Sequence, residues 1–251
     1  MTREARIRSK TGIYHIMLRG IDKRNIFLDD EDRLKFIEKL GKAKETASFK
    51  LYGYCLMDNH VHLLIGEQKE EIGISIKRIT VGYVQWHNSK HERTGHLFQN
   101  RYKSEVVETE SYLINVLRYI HQNPVKAKIT GHVKDYLWSS YHQYLLSYRD
   151  QITFLDEQLI KSYFFKQKDF EDYMSMQTKD EFLDYKPIKK YTDATLKNIL
   201  EAEFNVDTLR EMVPEERNKI IKDIYCRTGV SIRQLGRVLG IGKAIVEKAV
   251  K

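Results

Sequence analysis

The segment from Lys50 to Ile65 constrains this chain more than any other. It reads KLYGYCLMDNHVHLLI, two runs of strand-forming residues separated by Asp58-Asn59. Asp and Asn tolerate the backbone angles of a tight turn, so the pattern predicts a β-hairpin with strands over 50–57 and 60–65. Strand side chains alternate between faces, so His60 and His62 leave the same face, about 7 Å apart at the backbone. Val61, Leu63 and Ile65 then point the other way, toward a core. Two convergent imidazoles can share one divalent ion, with oxygen donors and a phosphate completing its shell. The same spacing also occurs in surface histidine pairs that bind nothing.

The flanking sequence places this hairpin in a larger pattern. Ile13 to Leu18 reads as a strand closed by Arg19-Gly20, and Asp29-Asp30 open a helix with Leu34, Ile37, Leu40 and Ala47 near helical spacing. A helix is expected over 72–91, a strand over 102–107, and a helix over 111–123 halted by Pro124. The order β-α-β-β-α-β is the split arrangement of a ferredoxin-like fold. The predicted class is therefore α+β, an antiparallel sheet with helices on one face. Beyond Val133 the chain is helical and tyrosine-rich, then irregular and acidic to about Lys190. Pro214 with Glu215 and Glu216 fits the first turn of another helix, and Ser231 with Gln234 fits a capping box. The reading divides the chain into a domain over 1–147, a connecting region over 148–192, and a small all-helical domain over 193–251.

Charge follows the same division. The net charge is +8, with +7 in residues 1–129, −4 in 130–214 and +5 in 215–251. Two basic segments around an acidic one suggest two polyanion-facing surfaces. No apolar run is long enough for a membrane span or follows the basic N-terminus as in a secretory signal. Cys55 and Cys226 lie far apart and lack metal-type spacing. The expectation is a reduced, cytoplasmic protein with no membrane partner.

A second constellation lies in SYLINVLRYIHQNPVKAKI, residues 111–129. On a helix, Leu113, Val116, Leu117 and Ile120 form a core stripe, and Tyr119 and Asn123 stack four apart on its edge. A phenol and an amide oxygen near a metal are the groups a phosphotyrosine mechanism requires, because the cation eases formation of a phenolate from a group with a pKa near ~10. A packing tyrosine among the 16 in this chain is the plainer reading of Tyr119 taken alone.

Taken together, MDNHVHLLI and RYIHQNPVKA, with GIYHIMLRGIDKRNIFLDDEDRLKF and GHLFQNRYKSEVV, resemble the single-tyrosine HUH transposases, in particular the REP-associated tyrosine transposases. The resemblance covers roughly residues 1–147, four motifs in the family's order. It implies a nuclease domain that uses Mg²⁺ or Mn²⁺ to cut single-stranded DNA beside a hairpin, leaving a 5′-phosphotyrosine and a free 3′-hydroxyl. By position it makes His60 and His62 metal ligands and Tyr119 the nucleophile. It makes Asn123 the third ligand, a position where some relatives carry glutamine. It is compatible with a monomer or a homodimer, and with a nucleoid-associated protein.

Arg19, Arg101 and Lys103 are the basic residues nearest these motifs; Arg101 and Lys103, two apart on the expected strand, share a face suited to phosphates. Phe98, Tyr102 and Trp86 are candidates to stack on unpaired bases, and His15, His96 and His121 are candidate extra ligands. No nucleotide-binding loop is present: GIGKAIV has a Gly-Lys pair without the required spacing or hydroxyl.

The C-terminal GVSIRQLGRVLGIGKAIVEKAV resembles a helix-turn-helix. Counting Ile232 as position one, Gly236 is fifth, where the helices touch, Gly240 is the ninth-position turn glycine, and Val246 is fifteenth, in the core. Its last helix offers Lys243, Glu247 and Lys248 to duplex DNA. A plain helical hairpin serving protein contacts is the alternative for this segment. For the whole chain the alternative is a non-catalytic DNA-binding or regulatory protein that keeps the nuclease fold.

Overall fold

Asp58 and Asn59 form the turn between β2 (Lys50–Met57) and β3 (His60–Gly66), an antiparallel pair in which Met57 faces His60 and Cys55 faces His62. β3 pairs on its other side with β1 (Ile13–Arg19), which in turn pairs with the short β4 (Lys103–Val106), giving an antiparallel sheet in the order β2-β3-β1-β4. With α1 (Asp30–Ala47) between β1 and β2, and α2 (Ile72–Lys90) between β3 and β4, this is the split βαβ arrangement the pattern predicts. The computed structural model describes residues 6–177, 182–183, 191–204 and 206–250. The chain divides between Asp184 and Tyr185 into two compact units.

The acidic start of α1 has a local cause. Asp29 is its N-cap, accepting the Asp32 N–H at 2.9 Å, and Asp30, Glu31 and Asp32 lie in the first turn, where the helix dipole favours negative charge. α3 (Glu110–Lys126) is capped in the same way by Thr109. Pro124 does not halt it. The helix runs to Lys126 because a proline in the last turn loses only one ladder bond, and the Ala127 N–H still reaches the Asn123 carbonyl at 2.9 Å.

Both faces of the sheet are buried. Ile16, Val61, Leu63 and Ile65 are fully buried on the face covered by the paired helices α1 and α2. The opposite face, which carries His15, His60 and His62, is covered by α3, so helices pack on both faces of the sheet and not on the single face expected from the sequence. A slip in register at Tyr52 turns Gly53 and Cys55 toward α3. Gly53 must be small there, because a Cβ would stand 2.5 Å from the Leu117 Cδ1 atom.

Residues 148–177 of the expected connecting region are instead part of the first unit. Leu155, Ile160, Phe164, Phe170 and Met174 are buried in the same core as the sheet, carried by α5 (Gln158–Lys161), α6 (Gln167–Ser175) and the turns around them. Asp156 ties this stretch to β2: its N–H donates to the Leu51 carbonyl at 2.9 Å, and its carboxylate accepts the Leu51 N–H at 2.8 Å. Residues 178–181 and 184–190 of the expected linker lie outside the described residues. Between α3 and this stretch, residues 138–140, just before α4 (Tyr141–Ser147), lie along the outer edge of β2. Leu56 N–H donates to the Trp138 carbonyl at 2.8 Å and Ser140 N–H to the Tyr54 carbonyl at 2.9 Å.

The second unit is helical: α7 (Asp193–Glu201), α8 (Pro214–Thr228), α9 (Ile232–Leu239) and α10 (Lys243–Val250). Its core includes Leu200, Leu209, Ile224, Leu235 and Val246. Gly240 ends α9 in the left-handed region at φ 61°, and a Cβ on Gly236 would stand 3.0 Å from the Ile241 carbonyl, so α9 packs tightly on the turn that leads into α10. Ser231 caps α9, but Gln234 does not complete the expected reciprocal box; its side chain donates to the Tyr191 carbonyl at 2.7 Å. Among the described residues, no helix is long and apolar enough to cross a membrane.

Candidate active site

β3 presents His60 and His62 as its alternation requires, with ring centroids 5.0 Å apart and planes at 87°. His62 is fully buried beneath α3. Its Nδ1 lies 2.9 Å from His15 Nε2 on the neighbouring strand β1, and His15 Nδ1 stands 3.7 Å from Glu105 Oε2 on β4. Three strands thus contribute one row of polar groups across the sheet. His15 holds the Glu105 carboxyl below the ordinary glutamate value. The carboxylate facing His15 Nδ1 favours the tautomer protonated on that nitrogen, in which Nε2 accepts from the Nδ1–H of His62. The Nε2 of His62 is left as a bare acceptor, and it is a buried atom with no hydrogen-bond partner. Burial first, then the positive fields of His60, His15 and Arg19, hold His62 well below the usual histidine pKa, so it is neutral. A neutral imidazole with one nitrogen fixed by a partner and the other unpaired is the state of a metal-ligating histidine. His60 is half-buried, and its Nδ1 lies 2.7 Å from the Asn59 Oδ1 atom of the turn.

α3 lays Tyr119 over this row. Its ring meets His62 edge-on at 5.7 Å and His15 at 5.9 Å. The residue is fully buried, not at the edge of the core as the helical pattern predicts, because Phe182 packs on it at 4.9 Å from a part of the chain the α3 periodicity cannot register. The Lys126 ammonium lies over the ring, 4.5 Å from its centroid. Asn123, one turn on, is buried and donates Nδ2 to the Tyr119 carbonyl at 2.9 Å, leaving its Oδ1 as the ligand-type atom.

The other expected residues separate into groups. Arg19 stands opposite His60 in the β1–β3 register. Arg101 lies before β4 rather than on it, yet with Lys103 it lines one groove of about 960 Å³, together with Arg6, Phe98, Tyr102 and Glu105. Tyr102 is covered by the Arg6 guanidinium at 3.6 Å. Trp86 is on α2, flanked by the ammonium groups of Lys35 and Lys90 at 5.5 and 5.1 Å, and does not line that groove. His121 is buried against the Ser140 hydroxyl at 2.8 Å, and burial lowers its pKa to about 3. It serves packing. In the second unit Lys243 and Lys248 are exposed on α10, Lys243 paired with Glu247 at 3.0 Å.

Glu105 is the site residue that sequence reasoning missed. Its only signal was parity: it follows Lys103 by two on β4, and the facing positions on β1 become known only with the register.

Three similarities bear on this geometry. A REP-associated tyrosine transposase of Haemophilus influenzae, itself assigned by inference, is 25% identical over 146 residues, covering 54% of this chain and 82% of the relative. A solved REP-associated tyrosine transposase bound to a REP hairpin shares the fold, with a TM-score of 0.52 at 16% identity, covering 61% of this chain and 90% of that one. The family model of IS200-like transposases matches residues 9–123, from just before β1 through Asn123 on α3. Over those residues, a little under half of its length, this chain is similar to the IS200-like transposase family.

Proposed function

We propose that this protein is a transposase that cuts and rejoins single-stranded DNA through a covalent 5′-phosphotyrosine on Tyr119, with a divalent cation held by His60, His62 and Asn123. The observation that carries the reading is the buried, unpartnered Nε2 of His62, oriented through His15 and lying beside the Tyr119 ring. The donor set fits a cation: two imidazoles leave one face of β3, and Asn123 adds an amide oxygen one turn beyond Tyr119 on the helix that covers that face. Imidazole donors favour Mn²⁺ over Mg²⁺. When bound, the cation supplies polarisation of the scissile phosphate.

The protein's own groups account for the rest. The phenolate oxygen of Tyr119 attacks phosphorus, the P–O3′ bond breaks, and the 3′-oxygen leaves and is protonated to a 3′-hydroxyl. The His15–Glu105 row fixes the ring of His62. The phosphodiester bond energy is conserved in the tyrosyl ester, so rejoining needs no nucleotide. Arg101, Lys103 and Arg19 are placed to hold phosphates, and an unpaired strand beside a hairpin is the substrate. The relative solved with a REP hairpin supports that choice. The second unit reads duplex DNA as a helix-turn-helix, α10 offering Lys243 and Lys248.

The test is incubation with labelled single-stranded DNA from the gene's own flanks, with and without Mn²⁺. A labelled covalent adduct that requires Mn²⁺ is expected. The complete burial of Tyr119 favours a second reading, a DNA-binding protein that no longer cuts. Hairpin binding without any adduct, in the wild type and in Phe182→Ala, would establish that reading instead; if Phe182 is only a cover, its removal speeds adduct formation severalfold.

A further inference from the structure

Asp32, His87 and His91 attract no notice as a set in the sequence. Asp32 lies in the first turn of α1, and the two histidines are four apart at the end of α2. That spacing puts both imidazoles on one helix face, and α1 packs against α2, so the carboxylate meets them. His91 Nε2 lies 2.9 and 3.1 Å from the two Asp32 oxygens, and the rings of His87 and His91 are 4.5 Å apart. One ligand atom from each of the three falls within 4.8 Å of the others. Asp32 and His87 are fully buried. Both ring nitrogens of His87 are buried with no hydrogen-bond partner. A packing histidine normally finds at least one partner, because a desolvated polar atom left unpaired is costly.

We propose that Asp32, His87 and His91 bind a transition-metal dication of the Zn²⁺ type, at a site separate from His60 and His62. Two imidazoles and one carboxylate are a zinc donor set with a fourth position open to water, whereas Mg²⁺ and Ca²⁺ demand more oxygens. Burial lowers the His87 pKa to about 4, so its lone pair is available at neutral pH. The Leu28 N–H donates to Asp32 Oδ2 at 2.7 Å and fixes the carboxylate. Two cations oppose the ion: Arg93, whose field reaches His87, and Lys90, 3.0 Å from Asp32 Oδ1, whose ammonium also contacts Asp29 at 2.7 Å and Glu31 at 2.9 Å. Those two carboxylates keep Lys90 in place when Asp32 turns to the metal.

The ion would clamp the start of α1 to the end of α2. The segment leading into α1 carries Ile26 and Phe27, whose N–H groups donate to the Asp58 carbonyl at 2.7 and 3.0 Å. Asp58 opens the turn that presents His60, so the clamp stiffens the support of the active-site hairpin.

The test uses the full chain with His60→Ala and His62→Ala, so that the first site cannot compete, and Co²⁺ as a visible probe of a zinc site. This protein should bind one Co²⁺, displaced by Zn²⁺, and added His87→Asn or His91→Asn should weaken binding by about 100-fold or more. His91 is 17% exposed, the more tolerant of the two to substitution should His87→Asn fail to fold. Lys90→Met keeps every ligand and removes one competing charge, so it should tighten Co²⁺ binding by about tenfold. No Co²⁺ bound by the double-alanine protein, binding undiminished in His91→Asn, or binding not tightened in Lys90→Met would each overturn the site.

Discussion

The two units place their candidate chemistry in opposite environments. In the first, His15, His62, Tyr119 and Asn123 are all buried, each touching another member of the group or its immediate support. In the second, Lys243 and Lys248 stand in solvent on α10. Bond making needs groups whose tautomer, orientation and desolvation are fixed in advance, whereas holding a phosphate backbone needs only cations that can reach it. The contrast predicts that substitutions in the first unit act steeply and specifically, and those in the second act in small, additive steps that depend on salt.

The largest effect should follow from removing one oxygen. Tyr119→Phe keeps the ring contacts to His62, His15 and Phe182, so the protein should fold normally yet form no covalent DNA adduct on a denaturing gel. An adduct at the wild-type level would move the nucleophile, with Tyr112 on the same helix the first to test. Next, His60→Ala and His62→Ala should each abolish cleavage while hairpin binding stays largely intact, because phosphate contacts supply most of the affinity. Mn²⁺ binding by calorimetry that is unchanged in the double variant would break the assignment.

His15→Phe tests the row behind the ligand. The ring still fills its place, but His62 loses the partner that fixes its tautomer, so Mn²⁺ affinity should drop about 10–100-fold. A drop in stability with unchanged metal affinity would make His15 a packing residue. The smallest effect belongs to the second unit: Lys243→Ala with Lys248→Ala should leave cleavage of short single strands alone and reduce the salt dependence of duplex binding by about two phosphate contacts. An unchanged salt slope would take DNA reading away from α10, and the comparison between the units would lose its second half.

Much of this was legible in the chain because it rests on local rules. Strand alternation placed His60 and His62 on one face, the Asp29 cap started α1, and the glycines at 236 and 240 marked a close helix pair. What escaped depends on register and on contacts distant in sequence. The pairing of His15 with His62 joins residues 47 apart, and no periodicity within β1 reveals it. Phe182 packs on Tyr119 from outside α3, and residues 148–177 join the first core through short apolar pairs, Ile160 with Phe164 and Phe170 with Met174, set in an acidic stretch that reads as a connection. Asp32, His87 and His91 stayed invisible because one lies on α1 and two on α2, and only the packing of those helices brings them together.

The segment 138–140 along β2 bears on how the protein behaves at high concentration. An open sheet offers its outermost strands as templates to other copies of itself, and chains that leave such edges bare tend to aggregate. Here one edge is already occupied by the chain's own backbone through Trp138 and Ser140. The opposite edge, β4, is only four residues long and begins at a lysine. The sheet therefore offers little free edge for a second copy to extend.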